Sequence, residues 1–319
     1  MAKIVVEARK SPEAGAFLNA VAATCREAGH RVQRWRGPRS GRVPYSRWMW
    51  PCDLAILFNG THDRYRPYHA QLDRDGTPRI YVELGWYPQQ GHFQVDPHGI
   101  NAAVSWSGDR LTAPCRTPLP VPAHNSLLVV LQHDHDTQIT HMSPWFANML
   151  AFVKHLAEHS TLPLKLRKHP RHDLDPRLTR LAQEKGLVWD DSPSLAAALG
   201  SCKAVACVNS SSAVEALARR LPVLCFGKAM FRHPQAVLCL TGDGQQLAKI
   251  TRQLAHGRCD LFVESVDEMV ARVAARQWTA NDIPQRLPPL VDSLLDGRKP
   301  QSTWWRQVTG LFTSARRAA

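Results

Sequence analysis

The sequence predicts an α/β fold in which two domains face a cleft, each built on a parallel sheet with helices on both faces. Two observations carry this prediction. In the second half of the chain, short apolar segments alternate with helical segments of about ten residues, the order typical of parallel sheets. A stretch with four prolines, residues 112–126, separates that half from a first half with similar apolar segments.

The first half opens with a predicted buried strand over residues 3–7, which is followed by a helix. Ser11 as N-cap and Pro12 at the first helical position mark the start of the helix, and Gly29 marks its end. The other predicted strands of this half are residues 53–59 and 79–83.

The second half is more regular. Each predicted strand is a short apolar segment, and each predicted helix is opened by a cap residue or closed near a glycine. The predicted strands are 127–132, 164–168, 187–189, 204–209 and 222–226, and the predicted helices are 143–159, 175–186, 194–199, 211–220, 244–256 and 266–276.

Proline is excluded from helix interiors and central strands, so the proline-rich stretch 112–126 is predicted to be an interdomain linker. The predicted domains are residues 1–120 and 121–275, followed by a basic tail, 276–319. The tail contains Trp304 and Trp305 among basic residues, the composition of a helix that lies on an anionic membrane. The alternative is a helix whose tryptophans pack back on the first domain.

The charge balance favours anionic partners. Lys and Arg number 40 against 27 Asp and Glu, a formal net charge of +13. The sequence has no zinc-finger spacing and no RNA-recognition signature, so nucleic acid is not the expected partner. It has no long apolar run and no signal-peptide pattern at its start, and its eight cysteines form no C-x-x-C pair. A cytoplasmic protein is therefore expected.

Polar residues follow three of the predicted strands of the second half. Because ligands of parallel sheets bind beyond the carboxyl ends of the strands, these residues are candidates for a binding site. They are Gln132 to Asp136 after the first strand, Lys168 and His169 after the second, and Asn209, Ser210 and Ser211 at the start of the helix that carries Glu215. A carboxylate, cationic groups and a helix start suited to phosphate thus converge on one edge.

Two simpler interpretations stay open. Asn209 to Ser212 are also the residue types preferred as helix caps. The run His133-Asp134-His135-Asp136 also suggests metal ligands, but alternation along an extended chain would put the histidines on one side and the aspartates on the other. We therefore expect no metal site and no required cofactor, and a metal-dependent hydrolase remains an alternative.

Several blocks resemble the capsule polysaccharide biosynthesis family of retaining β-Kdo transferases. Kdo is a sugar acid with a carboxylate on its anomeric carbon. The blocks are YVELGWYPQQ (81–90), DPHGIN (96–101), LQHDHDTQI (131–139), KHP (168–170) and NSSSAVEALARRLPVLCFG (209–227). The resemblance implies two Rossmann-like domains in a GT-B-like arrangement, with the acceptor on the first domain and the nucleotide sugar on the second.

The same resemblance implies the reaction and the roles of single residues. The donor is CMP-Kdo, and the sugar passes with retention to an anionic glycan or glycolipid acceptor, at the cytoplasmic side or on the inner-membrane surface. Asp136 matches the catalytic nucleophile, and Glu83 matches an acid/base in a Glu-x-Gly block. The residues implied to bind the donor are Gln132, Lys168, His169, Asn209, Ser210, Ser211 and Glu215.

Three other functions stay open beside this one: a transferase that uses CMP-sialic acid or another nucleotide sugar, the metal-dependent hydrolase, and a non-catalytic basic binding protein. The chemistry of CMP departure suits the Kdo transferase, because a phosphate monoester must be stabilised by groups such as His169 and Lys168.

Overall fold

The computed structural model describes residues 1–37, 51–170 and 175–297. The chain divides into two compact units, one formed by Met1–Ser105 with the chain from Arg276, the other by Trp106–Ala275. Each unit has its own sheet. No helix in the described ranges is both long and apolar enough to cross a membrane.

Within the described residues, the first unit has a five-stranded sheet and three principal helices. The strands are β1 (Lys3–Glu7), β2 (Arg31–Trp35), β3 (Leu54–Phe58), β4 (Arg79–Leu84) and β5 (Phe93–Asp96), in the order β2-β1-β3-β4-β5. The helices are α1 (Pro12–Glu27), α2 (Arg66–Arg74) and, from the far end of the chain, α10 (Ile283–Leu295).

The first sheet departs from the predicted all-parallel arrangement at β5. The strands β2, β1, β3 and β4 are parallel, but β5 runs antiparallel to β4, with Tyr81 opposite Asp96. Residues 85–92 connect the two strands and are too few for the crossover of about a dozen residues that parallel pairing requires. The strands β2 and β5 were not predicted.

Helices cover both faces of the first sheet. Alternate residues such as Ile4 and Val6 pack with Phe17 and Leu18 of α1 and with α10. Val5, on the opposite face, belongs to a second cluster with α2. The predicted two-sided packing is therefore confirmed for this unit.

The predicted tail begins with a helix of the first unit. Ile283, Leu287, Val291 and Leu294 of α10 are buried in the same cluster as α1, although the helix contains Pro288 and Pro289. Burial of these four side chains at helical spacing offsets the cost of the internal prolines. The rest of the tail, with Trp304 and Trp305, lies outside the described residues, so the membrane prediction remains untested.

The second unit has a six-stranded parallel sheet within the described residues, of order β11-β10-β9-β6-β7-β8. Its strands are β6 (Leu127–Val130), β7 (Leu164–Arg167), β8 (Val188–Trp189), β9 (Ala204–Cys207), β10 (Val223–Cys225) and β11 (Leu238–Cys239). Its helices are α3 (Thr137–Thr140), α4 (Met149–His159), α5 (Pro176–Glu184), α6 (Leu195–Leu199), α7 (Ser212–Ala218), α8 (Gly244–Ala255) and α9 (Val263–Arg276), whose last residue follows the unit boundary.

One face of this sheet packs on α4, α5 and α8 in a single core that includes Leu127, Val129, Phe152, Leu178 and Leu247. The helix α7 packs against β9 and β10 outside that core, on the other face. One predicted helix is shorter than expected. Residues 143–148 are not helical, because Asn148 caps α4 by accepting from the amide of Ala151.

The proline-rich stretch is tied to the second unit rather than free, and the predicted boundary at residue 120 lies inside that unit. Glu264 of α9 accepts hydrogen bonds from the amide and hydroxyl of Thr117. Glu268, one turn further along α9, accepts from the amides of Thr112 and Ala113. The amide of Leu119, between two prolines, donates to the carbonyl of Leu261 at 2.8 Å, so both main-chain and carboxylate oxygens satisfy the amides of this stretch.

Candidate functional site

A cavity of about 570 Å³ opens at the carboxyl ends of β6 and β7. Residues that follow these two strands line one side of it, and the first residues of α4 and α5 line the other. The described lining residues are Leu131, Gln132, His133, Asp134, His135, Thr140, Ala147, Asn148, Met149, His169, Asp175, Arg177 and Leu178. Ligands of parallel sheets bind at this kind of edge.

The segment after β6 forms a turn, not the predicted extended chain. The amide of Asp136 donates to the carbonyl of His133 at 2.9 Å, and the amide of His135 donates to Nδ1 of His133, also at 2.9 Å. The two imidazole rings lie 5.4 Å apart, centre to centre. The turn thus brings the histidines together, as predicted, but for a different reason.

The two aspartates of this turn each accept a hydrogen bond from an amide at the start of a different helix. Oδ1 of Asp136 accepts from the amide of Gln138 at 2.9 Å and caps α3. Oδ1 of Asp134 accepts from the amide of Met149, the first residue of α4, at 2.6 Å. Asp134 lines the cavity, whereas Asp136 is exposed immediately beside the lining residue His135.

Gln132 and Asn209 join the carboxyl ends of β6 and β9. Nε2 of Gln132 donates to Oδ1 of Asn209 at 2.9 Å, and the amide of Asn209 donates to Oε1 of Gln132 at 3.1 Å. Nδ2 of Asn209 then donates to the carbonyl of Gln138 in α3, at 2.7 Å. These two predicted donor-binding residues therefore also hold the short helix that Asp136 caps.

Some cationic side chains in and after β7 form ion pairs within the fold, and others lie at or beside the cavity. Nζ of Lys165 lies 2.9 Å from Oδ1 of Asp190, and Arg167 pairs with the other oxygen of that buried carboxylate. Burial would raise the pKa of Asp190, but hydrogen bonds from Lys165, Ser192 and Arg167 outweigh it and lower this pKa to about 2. His169 lines the cavity, and Lys168 beside it is exposed.

Arg177 is a cavity residue that the sequence reasoning missed. Its guanidinium makes a fork with the carboxylate of Asp175, with Nε at 3.0 Å and Nη2 at 2.7 Å from Oδ2. These hydrogen bonds lower the pKa of Asp175 and fix the direction of the guanidinium. The signal was present, because an arginine directly after a helix-opening Asp-Pro lies in the first turn of a helix at the ligand-binding edge.

The remaining predicted residues of the second unit lie at the start of α7. The hydroxyl of Ser210 accepts weakly from the amide of Ser212 at 3.3 Å, as a cap would, and Ser211 is half-buried beside it. Glu215 lies one turn in and pairs with Arg219 at 3.4 Å. These residues do not belong to the described lining of the cavity.

Glu83 lies in the first unit, near the end of β4, where Oε1 accepts from the amide of Leu84 at 2.8 Å. The loop after it is held by the buried side chain of Gln277. Oε1 of Gln277 accepts from the amides of Trp86 and Tyr87, and Nε2 donates to the carbonyl of Tyr87 at 2.8 Å. A Cβ at Gly85 would lie 2.6 Å from Oε1 of Gln277, so the Glu-x-Gly block requires glycine at this position.

The described ranges contain no group of three or more His, Cys, Asp or Glu side chains that could hold a metal ion. The aspartates of the His/Asp run instead accept hydrogen bonds from main-chain amides of two helices.

Comparison with known proteins adds a family and a fold. The sequence model of the family described as capsule polysaccharide biosynthesis protein matches residues 103–274, just over half of the chain. No curated protein matches the sequence.

Among solved structures, the chain is similar to KpsC beta Kdo 2,7 transferase of Thermosulfurimonas dismutans, with a TM-score of 0.52 and 15% identity over 91% of this chain and 99% of that one. The beta Kdo 2,4 transferase of KpsC from the same organism gives a TM-score of 0.48 and 12% identity, over 92% and 98%. The first likeness shows a shared fold. The predicted α/β class, with two units that each have helices on both faces of a sheet, is confirmed. On the family match, the chain belongs to the capsule polysaccharide biosynthesis protein family.

Proposed function

We propose that this protein is a glycosyltransferase that moves Kdo from CMP-Kdo to a glycan or glycolipid acceptor, with retention at the anomeric carbon. The observation that carries the proposal is the cavity of the second unit, which Asp134, His169 and Arg177 line, with Asp136 in the same turn as Asp134 just outside the lining. Family membership supports the same interpretation. The donor carries two kinds of anion, a sugar carboxylate and a phosphate, and both suit a cavity with cationic groups.

In the proposed reaction, a carboxylate oxygen of Asp136 attacks the anomeric carbon of Kdo. The bond from that carbon to the phosphate oxygen breaks, and CMP leaves with the bonding electron pair. His169 and Arg177 stabilise the negative charge on the departing phosphate. An acceptor hydroxyl then attacks the covalent sugar ester, loses its proton to a base, and regenerates the carboxylate. Glu83 is the residue that we propose as this base.

Asp134 is the competitor for the role of nucleophile, because it lines the cavity and Asp136 lies just outside the lining. Both aspartates accept from a helix amide through Oδ1. The side-chain oxygen of asparagine accepts from such an amide about as well as a carboxylate does, so Asp134→Asn and Asp136→Asn should both fold. The two variants therefore compare chemistry rather than stability.

The test is intact-protein and peptide mass spectrometry of the wild type with CMP-Kdo and no acceptor. We expect a one-sugar adduct on the peptide that contains Asp136, and a loss of at least ~10³-fold in turnover for Asp136→Asn, about 4 kcal/mol of barrier. Asp243→Asn is the matched control, because Asp243 also caps a helix by accepting from the amide two residues on. An adduct on Asp134, or an active Asp136→Asn enzyme, would reject the assignment.

The donor itself is tested by calorimetry with CMP, UMP and GMP. The proposal requires a clear preference for CMP. It also requires that CMP-Kdo, and not CMP-sialic acid, gives the adduct. Equal affinity for the three nucleotides would contradict the choice of donor, although not the transferase class.

A further inference from the structure

The carboxyl edge of the first sheet carries an arginine after each of three adjacent strands. Arg36 follows β2 directly, Arg9 lies two residues after β1, and Arg64 lies in the short turn after β3. The strand order β2-β1-β3 makes these strands neighbours, and all three are parallel. Their carboxyl ends therefore bring the three arginine residues to one edge. We call this set, Arg9, Arg36 and Arg64, the arginine edge.

A buried carboxylate lies beneath the arginine edge. Glu7, the last residue of β1, is fully buried. Its Oε2 accepts from the amide of Phe58 at 2.9 Å, and its Oε1 accepts from the hydroxyl of Tyr65 at 2.8 Å. Burial raises the pKa of Glu7, and the charges of Arg9 and Arg64 are among the effects that oppose the rise. Both arginines thus lie near this carboxylate.

Glu7 and the aromatic rings hold two of the arginines in place. Nη1 of Arg9 lies 3.3 Å from Oε1 of Glu7, and the guanidinium carbon lies 4.8 Å from the centre of the Phe58 ring. The side chain of Arg9 remains 33% exposed. The guanidinium carbon of Arg64 lies 5.7 Å from the centre of the Tyr65 ring. Contacts with ring faces orient such groups without neutralising them.

The path of the chain after β2 brings the third arginine, Arg36, near Glu7. A Cβ at Gly37 would lie 2.8 Å from the hydroxyl of Tyr65 and closer still to the Glu7 carboxylate. The chain after β2 therefore passes directly over Glu7, and only glycine fits at that point. Arg36, the preceding residue, is exposed beside it.

The arginine edge has more positive charge than its carboxylate neutralises, and it has a donor without an acceptor. Within the described ranges, Nε of Arg64 is buried and has no hydrogen-bond partner. A buried polar group without a partner is costly, and an oxygen of a ligand would satisfy it. Asp63, the residue before Arg64, pairs with Arg66 at 3.1 Å.

We propose that the arginine edge binds an anionic group of the acceptor, a carboxylate or a phosphate. The identity of the ligand as the acceptor rests on the proposed function, in which Glu83 of the first unit takes the proton of the acceptor hydroxyl. The existence of an anion site rests only on the residues above. Bidentate contacts from fixed guanidinium groups are the usual way in which proteins bind both kinds of anion.

The experiment is calorimetric titration of the full chain with three small probes. Methyl β-glucuronide supplies a carboxylate, glycerol 1-phosphate supplies a phosphate, and methyl β-glucoside is the neutral control. At least one anionic probe should bind, and the neutral sugar should not. Arg64→Gln and Arg36→Gln should each weaken that binding at least tenfold. Arg74→Gln, at the exposed far end of α2, should leave it unchanged.

CMP titration of the same samples separates this proposal from the proposed function. Arg64→Gln and Arg36→Gln should keep the wild-type affinity for CMP, which also shows that they are folded. If CMP binds but no anionic probe depends on these arginines, the arginine edge is not an anion site. If an anionic probe binds through them but CMP does not bind, the site stands and the proposed function fails.

Discussion

The bonds between Gln132 and Asn209 give a prediction whose size can be worked out bond by bond. Gln132→Ala removes two hydrogen bonds, one to Oδ1 and one from the amide of Asn209. Asn209→Ala also removes two hydrogen bonds, the side-chain bond shared with Gln132 and the bond to the carbonyl of Gln138. It keeps the hydrogen bond from the main-chain amide of residue 209 to Oε1 of Gln132. A neutral hydrogen bond contributes about 1 kcal/mol to the free energy of unfolding. Each single variant should therefore lose about 2 kcal/mol.

The double variant distinguishes a direct bond from two independent losses. It removes three bonds, because one bond is common to both single variants. Its loss should therefore be about 3 kcal/mol rather than about 4, a coupling energy of about 1 kcal/mol. Urea denaturation followed by both circular dichroism and fluorescence measures these free energies, and agreement of the two signals checks that unfolding is cooperative.

The control pairs Gln132→Ala with Gln183→Ala, since Gln183 is exposed on α5 in the same unit. That pair should be additive within about 0.5 kcal/mol. If the Gln132 and Asn209 variants are equally additive, the two side chains are not bonded and the reasoning is wrong. Asn209→Ala should also lower turnover, because it releases the helix that Asp136 caps.

Two further predictions concern an ion pair and a glycine. The pKa of Asp190 lies at about 2, below the ordinary 3.8, so its charge stabilises the fold above pH 4 and this contribution disappears as the pH falls toward 2. Asp190→Asn should cost roughly 3 kcal/mol at neutral pH by urea denaturation, and the gap from the wild type should close below pH 3. Gly85→Ala should cost at least ~1–3 kcal/mol, because its Cβ would press on Gln277. Gly200→Ala has no contact under 3.5 Å and should change the melting curve little.

Much of the second unit could be predicted from sequence because its strands are short, apolar and separated by capped helices. The strand ends identify the ligand-binding edge, and Gln132 and His169 do line the cavity there. The first unit was harder to predict. Its strands β2 and β5 are less apolar, and β5 reverses direction through a loop held by Gln277, a residue distant in sequence.

The helix α10 shows why composition alone misleads near prolines. No helix was predicted over residues 283–295, which contain Pro284, Pro288 and Pro289, yet the apolar residues there recur at helical spacing and bury one face. Helical periodicity was therefore the better signal, because burial of four side chains outweighs the missing amides. The predicted domain boundary at residue 120 was misplaced because prolines such as those near it are typical of a linker. The prolines there lie in an extended segment that the carboxylates of α9 hold against the second unit.

The hydrogen bonds of the two aspartates also indicate which one is the better nucleophile. Asp134 accepts from the first amide of α4, a helix of 11 residues, whose dipole stabilises a carboxylate at that end. A carboxylate stabilised in this way is a weaker nucleophile. Asp136 caps α3, which has four residues and a correspondingly small dipole. In the proposed mechanism Asp136 is therefore the less stabilised carboxylate and the better nucleophile, while Asp134 holds α4 and faces the cavity. On this reasoning Asp134→Asn should weaken donor binding or turnover less than tenfold, against at least ~10³-fold in turnover for Asp136→Asn. Equal losses in the two variants would show that the turn works as one unit and that the helix dipoles do not separate the roles.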